Sequence, residues 1–125
     1  MFAIAPILLM AITPLTQAPV TVDESIIRKL VAALKDPEPE VRQNLGFALA
    51  KIGLPTVELL TEALKDALPE RRAGAAYALG LIGVPARVAL PSLLDLLNDP
   101  DATVRRQASY AIGRVIPAQR SGGSP

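Results

Sequence analysis

Neither cysteine nor histidine occurs anywhere in this chain of 125 residues. Without thiols there are no disulfides, thiolate nucleophiles or cysteine metal sites, and the redox compartment is left open. Without imidazole, the commonest general base and the commonest metal ligand go missing together. Ser25, Ser92, Ser109, Ser121 and Ser124 therefore have no histidine to activate them, and no Gly-x-Ser-x-Gly elbow surrounds any of them. Tryptophan is absent, phosphate-cradling glycine loops are absent, and the aromatics are only Phe2, Phe47, Tyr77 and Tyr110. An excess of charge of either sign is missing too. A net charge of +1 is too small to argue by itself for nucleic acid or an anionic membrane. The expectation is no catalytic residue, no metal ligand set and no cofactor.

Charge is absent altogether from residues 1–22, MFAIAPILLMAITPLTQAPVTV. The apolar run Phe2 to Leu15 is too short to cross a bilayer as a helix, so no transmembrane span is expected. It reads as the apolar region of an export signal, with small residues around Thr16-Gln17-Ala18, which would place the mature protein in the periplasm or outside the cell. The lack of a preceding Lys or Arg, and Pro19 just after the cut, argue for the alternatives, an uncleaved anchor or an apolar cap on the domain that begins at residue 23; without a signal the location is cytoplasmic. Residues 118–125, ending RSGGSP, read as a flexible tail.

What is present is repetition. IIRKLVAALKD, TVELLTEALKD and ALPSLLDLLND end at Asp36, Asp66 and Asp99, thirty and then thirty-three residues apart, and each leads into EVRQNLGFALAKIG, ERRAGAAYALGLIG or TVRRQASYAIGRVI. Leu30, Leu60 and Leu93, with Leu34, Leu64 and Leu97 four places on, give each first helix one core face. In the second helices Ala48, Leu49 and Ile52, Ala78, Leu79 and Ile82, and Ala111, Ile112 and Val115 mix small with branched side chains, a stripe suited to the seam between repeats. Asp36-Pro37 and Asp99-Pro100 stop the first helices, Gly53 and Gly83 close the second, and Pro55, Pro85 and Pro91 restart the chain. The three-residue lengthening between Gly83 and Pro91 reads as a loop. The pattern predicts an all-α domain over residues 23–117, with repeats of about 23–53, 54–83 and 84–117.

Laid out as D-P-x-x-x-V-R followed by A-L-x-x-I-G, the pattern resembles HEAT-like repeats of the short phycobilisome-lyase type. The resemblance implies a right-handed α-solenoid of three antiparallel helix pairs, with the second helices lining the concave side. Departures are Ala67 for Pro and Arg71 for Val in the middle repeat, and Ile116 for Gly in the last. HEAT-like hydroxylases hold iron with His-Glu pairs, and this chain has none to offer.

Arg42, Arg72 and Arg105 share one offset near helix N-termini, where a cation is mildly unfavourable. Asp36, Asp66 and Asp99 are their natural partners, an ion-pair ladder stapling consecutive repeats; an anion-binding row is the other use for them. Second helices carry Arg42, Lys51, Arg71, Arg72, Arg105, Arg106 and Arg114 against Glu40 and Glu70, while first helices lean acidic. Glu58 and Glu62, one turn apart on a first helix, read as a solvated face. Phe47, Tyr77 and Tyr110 stand eleven residues after each Asp, with Gln43 and Arg106 one turn before and Lys51, Leu81 and Arg114 one turn after. Aromatics beside Arg suit an interface anchor, and rings packed across the groove suit the same spacing. The sequence reading is a non-catalytic adaptor that binds another protein, acidic in character, through the second-helix face, and that self-associates because a stack of three repeats leaves seam surface at both ends. Its rivals are a bilin-handling lyase subunit, suggested by the repeat type alone, and a nucleic-acid binder using the basic face, disfavoured by so few uncommitted cations.

Overall fold

The computed structural model describes residues 21–119, so the apolar segment read as a signal and the RSGGSP tail lie outside the described residues. Six α-helices succeed one another: α1 (Glu24–Ala33), α2 (Pro39–Ile52), α3 (Val57–Ala63), α4 (Pro69–Ile82), α5 (Leu90–Asp95) and α6 (Ala102–Val115). Odd-numbered helices form one layer and even-numbered helices the other, in the helix-pair solenoid that the repeats imply.

Local chemistry sets the starts and stops. The Asp23 carboxylate accepts the Ile26 N–H at 3.1 Å to open α1, and Asp101 accepts the Val104 N–H at 3.0 Å to open α6. α2 and α4 instead begin on Pro39 and Pro69, where a missing N–H costs nothing. Gly53 and Gly83 end these two helices at φ 78° and 79°, a conformation that a Cβ would strain. α6 has no such stop; the chain leaves it extended at Ile116, φ −71°.

The first helices are shorter than the periodicity suggests. A 3₁₀ turn over Leu54–Thr56 precedes α3, another over Val84–Ala89 precedes α5, and a third over Leu96–Asn98 comes after it. The lengthening expected as a loop is therefore wound into 3₁₀ helix, which seats Ala86 and Ala89 in the core.

Leu34, Leu49, Leu60, Leu64, Leu79 and Leu93 are the largest side chains wholly inside, each worth about 1.5–3 kcal/mol by burial. α4 lies between α2 and α6, and its Ala73, Gly74, Ala75, Ala76, Ala78, Leu79 and Gly80 are all buried. The second-helix stripe is inside, with Leu49, Ala78, Leu79, Ala111 and Val115 buried and Ala48, Ile52, Ile82 and Ile112 half-buried. The core face expected at Leu97 is a correction: Leu97 is exposed. Its counterpart Leu34 is covered because Gly74 of the next repeat comes down on it, so closely that a Cβ at Gly74 would lie 3.0 Å from Leu34 Cδ2. Among the described residues no fourth repeat is present to cover Leu97.

Candidate functional site

The aromatic position brings its three residues together. Phe47 meets Tyr77 edge-on with centroids 6.2 Å apart, and Tyr77 stacks on Tyr110 at 5.7 Å. Two glycines make room for this column. A Cβ at Gly46 would come 2.9 Å from the Tyr77 ring, and one at Gly80 would come 2.6 Å from Tyr110 and 3.1 Å from the Ala111 backbone. The rings thus pack across the repeats while Phe47 and Tyr110 keep exposed faces. Leu81 is half-buried beside Gly46.

Alongside the column, the N-terminal halves of α2, α4 and α6 enclose a shallow cleft of about 240 Å³, lined by Pro39, Arg42, Gln43, Ala73, Gly74, Tyr77, Thr103, Arg106 and Gln107. Of the expected partner-binding residues, Gln43, Tyr77 and Arg106 converge here. Phe47, Lys51, Leu81, Tyr110 and Arg114 do not line it. Gln107 and Thr103 do, and sequence reasoning passed over both, because their offsets are filled by unlike residues in the other repeats. Arg106, Gln43 and Gln107 make no side-chain hydrogen bond or ion pair among the described residues, so their donors face solvent. Glu70 and Asp101 line a smaller neighbouring depression that shares Arg42, Ala73 and Thr103 with the cleft.

The arginine row is tethered rather than free. Arg42, Arg72 and Arg105 each place Nη1 on the two carbonyls of their own inter-helix turn: Arg42 on Asp36 and Pro37 (2.7 and 2.8 Å), Arg72 on Asp66 and Ala67 (2.9 and 3.0 Å), Arg105 on Asp99 and Pro100 (2.7 and 3.1 Å). These bonds offset the cost of a cation at a helix N-terminus. Arg72 alone also reaches the next repeat, gripping Asp99 with Nε and Nη2 at 2.8 and 3.0 Å. The rung expected between Arg42 and Asp66 is not formed. Arg71, standing where the repeat has valine, takes Asp66 at 2.6 Å and donates to the Ala32 carbonyl of the preceding repeat at 3.2 Å. Its Nε is buried without a partner among the described residues. The Arg72 guanidinium holds the Asp99 carboxyl below its ordinary range against an opposing push from burial, and Asp99 in turn raises Arg72. Asp66 is lowered chiefly by the Leu68 N–H, against burial and with help from Arg71.

On the opposite layer a more apolar cleft of about 430 Å³ lies between Leu54, Val57, Thr61, Pro85 and Val88, with Glu58 and Glu62 on its rim and no cation in its lining. Among the described residues no group of three or more potential ligands could hold a metal ion, and no helix is long and apolar enough to cross a membrane.

The helix-pair architecture has a counterpart among known families. A search of the curated proteins finds no match. The family model for HEAT repeats matches residues 27–113, which spans all six helices in whole or part. HEAT repeats are generally protein-interaction scaffolds and typically non-catalytic. With most of its length matched, the chain belongs to the HEAT-repeat family.

Proposed function

We infer that this protein is an adaptor whose second-helix cleft takes an acidic, extended segment of a partner protein. The observation that carries the reading is the convergence of Arg106, Gln43, Gln107 and the half-buried Tyr77 on one cleft, with donors that no described residue satisfies. A guanidinium, two amides and an aromatic edge suit carboxylate side chains and the carbonyls of an extended backbone. The first turns of α2 and α6 reach the cleft at Pro39 and Thr103, and the positive ends of these two helices favour negative charge there. Glu70 and Asp101 restrict the favourable region to the Gln43, Tyr77, Arg106 side.

Selection of a random-sequence peptide library on the full chain tests it. Enrichment of peptides rich in Asp and Glu, lost with Arg106→Glu, is the expected result. Arg106 is exposed, so the exchange leaves the core untouched. Enrichment of apolar peptides that bind Arg106→Glu equally well would overturn the reading and move the site to the apolar cleft near Val57 and Val88.

A further inference from the structure

The two ends of the stack carry the two halves of a joint that the molecule already makes once inside itself. Between the second and third repeats, Arg72 of the second grips Asp99 of the third and Gly80 of the second receives Tyr110 of the third, while Leu64 of the second and Val104 of the third are buried. Counted from the repeat aspartate, the residues at the same offsets on the outer side of the third repeat are Leu97, Arg105 and Gly113, the identical set. Those on the outer side of the first repeat are Asp36, Val41 and Phe47, the same chemistry with Phe for Tyr. The joint between the first and second repeats is different, because Arg71 replaces the valine and captures Asp66.

Burial tracks these equivalences. Leu34 and Leu64 are 0% and 1% exposed where another repeat comes next, and Leu97 is 42% exposed; Val104 is 0% exposed where another repeat precedes, and Val41 is 40% exposed. Gly80 is filled to contact by Tyr110, whereas a Cβ at Gly113 would meet nothing within 4 Å. That empty seat matches the ring of Phe47, whose far face has no neighbouring ring among the described residues. The polar halves match as well. Arg105 spends Nη1 on its own turn as Arg72 does, and its Nε and Nη2 have no partner among the described residues. Asp36 spends Oδ1 on the Glu38 N–H at 2.9 Å, as Asp99 does on the Asp101 N–H, and its Oδ2 is unpartnered among the described residues.

We propose that copies of this chain stack head to tail, the first repeat of one copy sitting on the third repeat of another where a fourth repeat would be. Arg105 grips Asp36 of the second copy, and Phe47 of that copy fills the seat over Gly113 and extends the ring column from Tyr110. Such a contact joins unlike surfaces, so each addition leaves one fresh end of each kind and growth is open. The inference stands independently of the peptide-binding cleft.

Sedimentation velocity of the full chain across a concentration series gives the first test. A weight-average sedimentation coefficient that climbs without levelling at the dimer value is expected; a monomer at every concentration, or a closed dimer, would overturn the proposal. Two end-blocked variants make the test specific. Gly113→Trp fills the seat at a position with open space, and Val41→Glu places a carboxylate beside Asp36 on the other end. Each variant alone, with helicity equal to wild type by circular dichroism, is expected to be monomeric, and an equimolar mixture is expected to give two-chain complexes and nothing larger. Variants that still associate alone, or a mixture that stays monomeric, would sink the head-to-tail geometry.

Discussion

Two glycines one repeat apart have opposite surroundings, and substituting each should have opposite consequences. Alanine at Gly80 gains the usual advantage over glycine in a helix, about 0.5–1 kcal/mol, but its Cβ would lie 2.6 Å from Tyr110 and 3.1 Å from backbone that cannot yield. Overpacking of this kind costs roughly 1–3 kcal/mol, so Gly80→Ala is expected to lower the midpoint of thermal unfolding by several degrees. Gly113→Ala meets nothing within 4 Å and is expected to raise the midpoint by a few degrees in dilute solution. Equal shifts of the same sign would show that the close approach of Tyr110 and the Ala111 backbone to Gly80 does not matter. The sequence marked Gly53 and Gly83 clearly, because a helix-ending glycine before a restarting proline has a local cause. It did not mark Gly46 or Gly80 as seats for rings, since that role depends on which side chain arrives from another repeat. Gln107 was missed for the same reason: it lines the cleft only because α6 lies across α4 from α2.

Between elements, the connection is ionic and unevenly distributed. α4 is joined to the third repeat by the bidentate Arg72–Asp99 pair, whose side chains are 14% and 6% exposed. Its joint to the first repeat runs instead through Arg71 and a backbone carbonyl. The spacing of the Asp and Arg residues made a regular ladder legible, and the Val-to-Arg departure at Arg71 was visible too. What could not be read was that Arg71 would outcompete Arg42 for Asp66, because that depends on side-chain reach between neighbouring turns. Asp99→Asn keeps an acceptor for the Asp101 N–H but leaves Arg72 without its counter-charge, and is expected to cost roughly 2–3 kcal/mol at neutral pH, measured by urea denaturation. Because the folded-state carboxyl lies below its ordinary value of 3.8, the stabilisation is complete above that value and is lost as the pH falls below it towards the folded-state value. Wild-type stability should therefore drop in that acid window more steeply than that of Asp99→Asn. Parallel acid slopes would mean that the pair contributes nothing.

As a whole, the molecule is a stack in which each repeat is supported only by its neighbours, so stability should be graded along it rather than uniform. The interior of α4 is buried on both flanks, whereas α1 buries only Ile27 and Val31. In dilute solution, amide hydrogen exchange is expected to be slowest in α4 and at least about tenfold faster in α1, which can open without disturbing the other repeats. Uniform protection would show instead that three repeats unfold as one unit. The same measurement bears on how copies meet. If the first repeat of one copy covers the third repeat of another, raising the protein concentration should slow exchange in α1, α2 and α6, the helices at the two ends, and leave α4 unchanged, because α4 is already enclosed by its own chain. The physical reason is mass action: a contact that exists only between copies stabilises only the elements it covers, and in proportion to how often it is made. Gly113→Trp should abolish the concentration dependence at both ends at once, since a joint blocked on one face leaves the opposite face of every other copy without a partner. Loss of the effect at α6 with persistence at α1 and α2 would place the contact between like ends and contradict head-to-tail stacking.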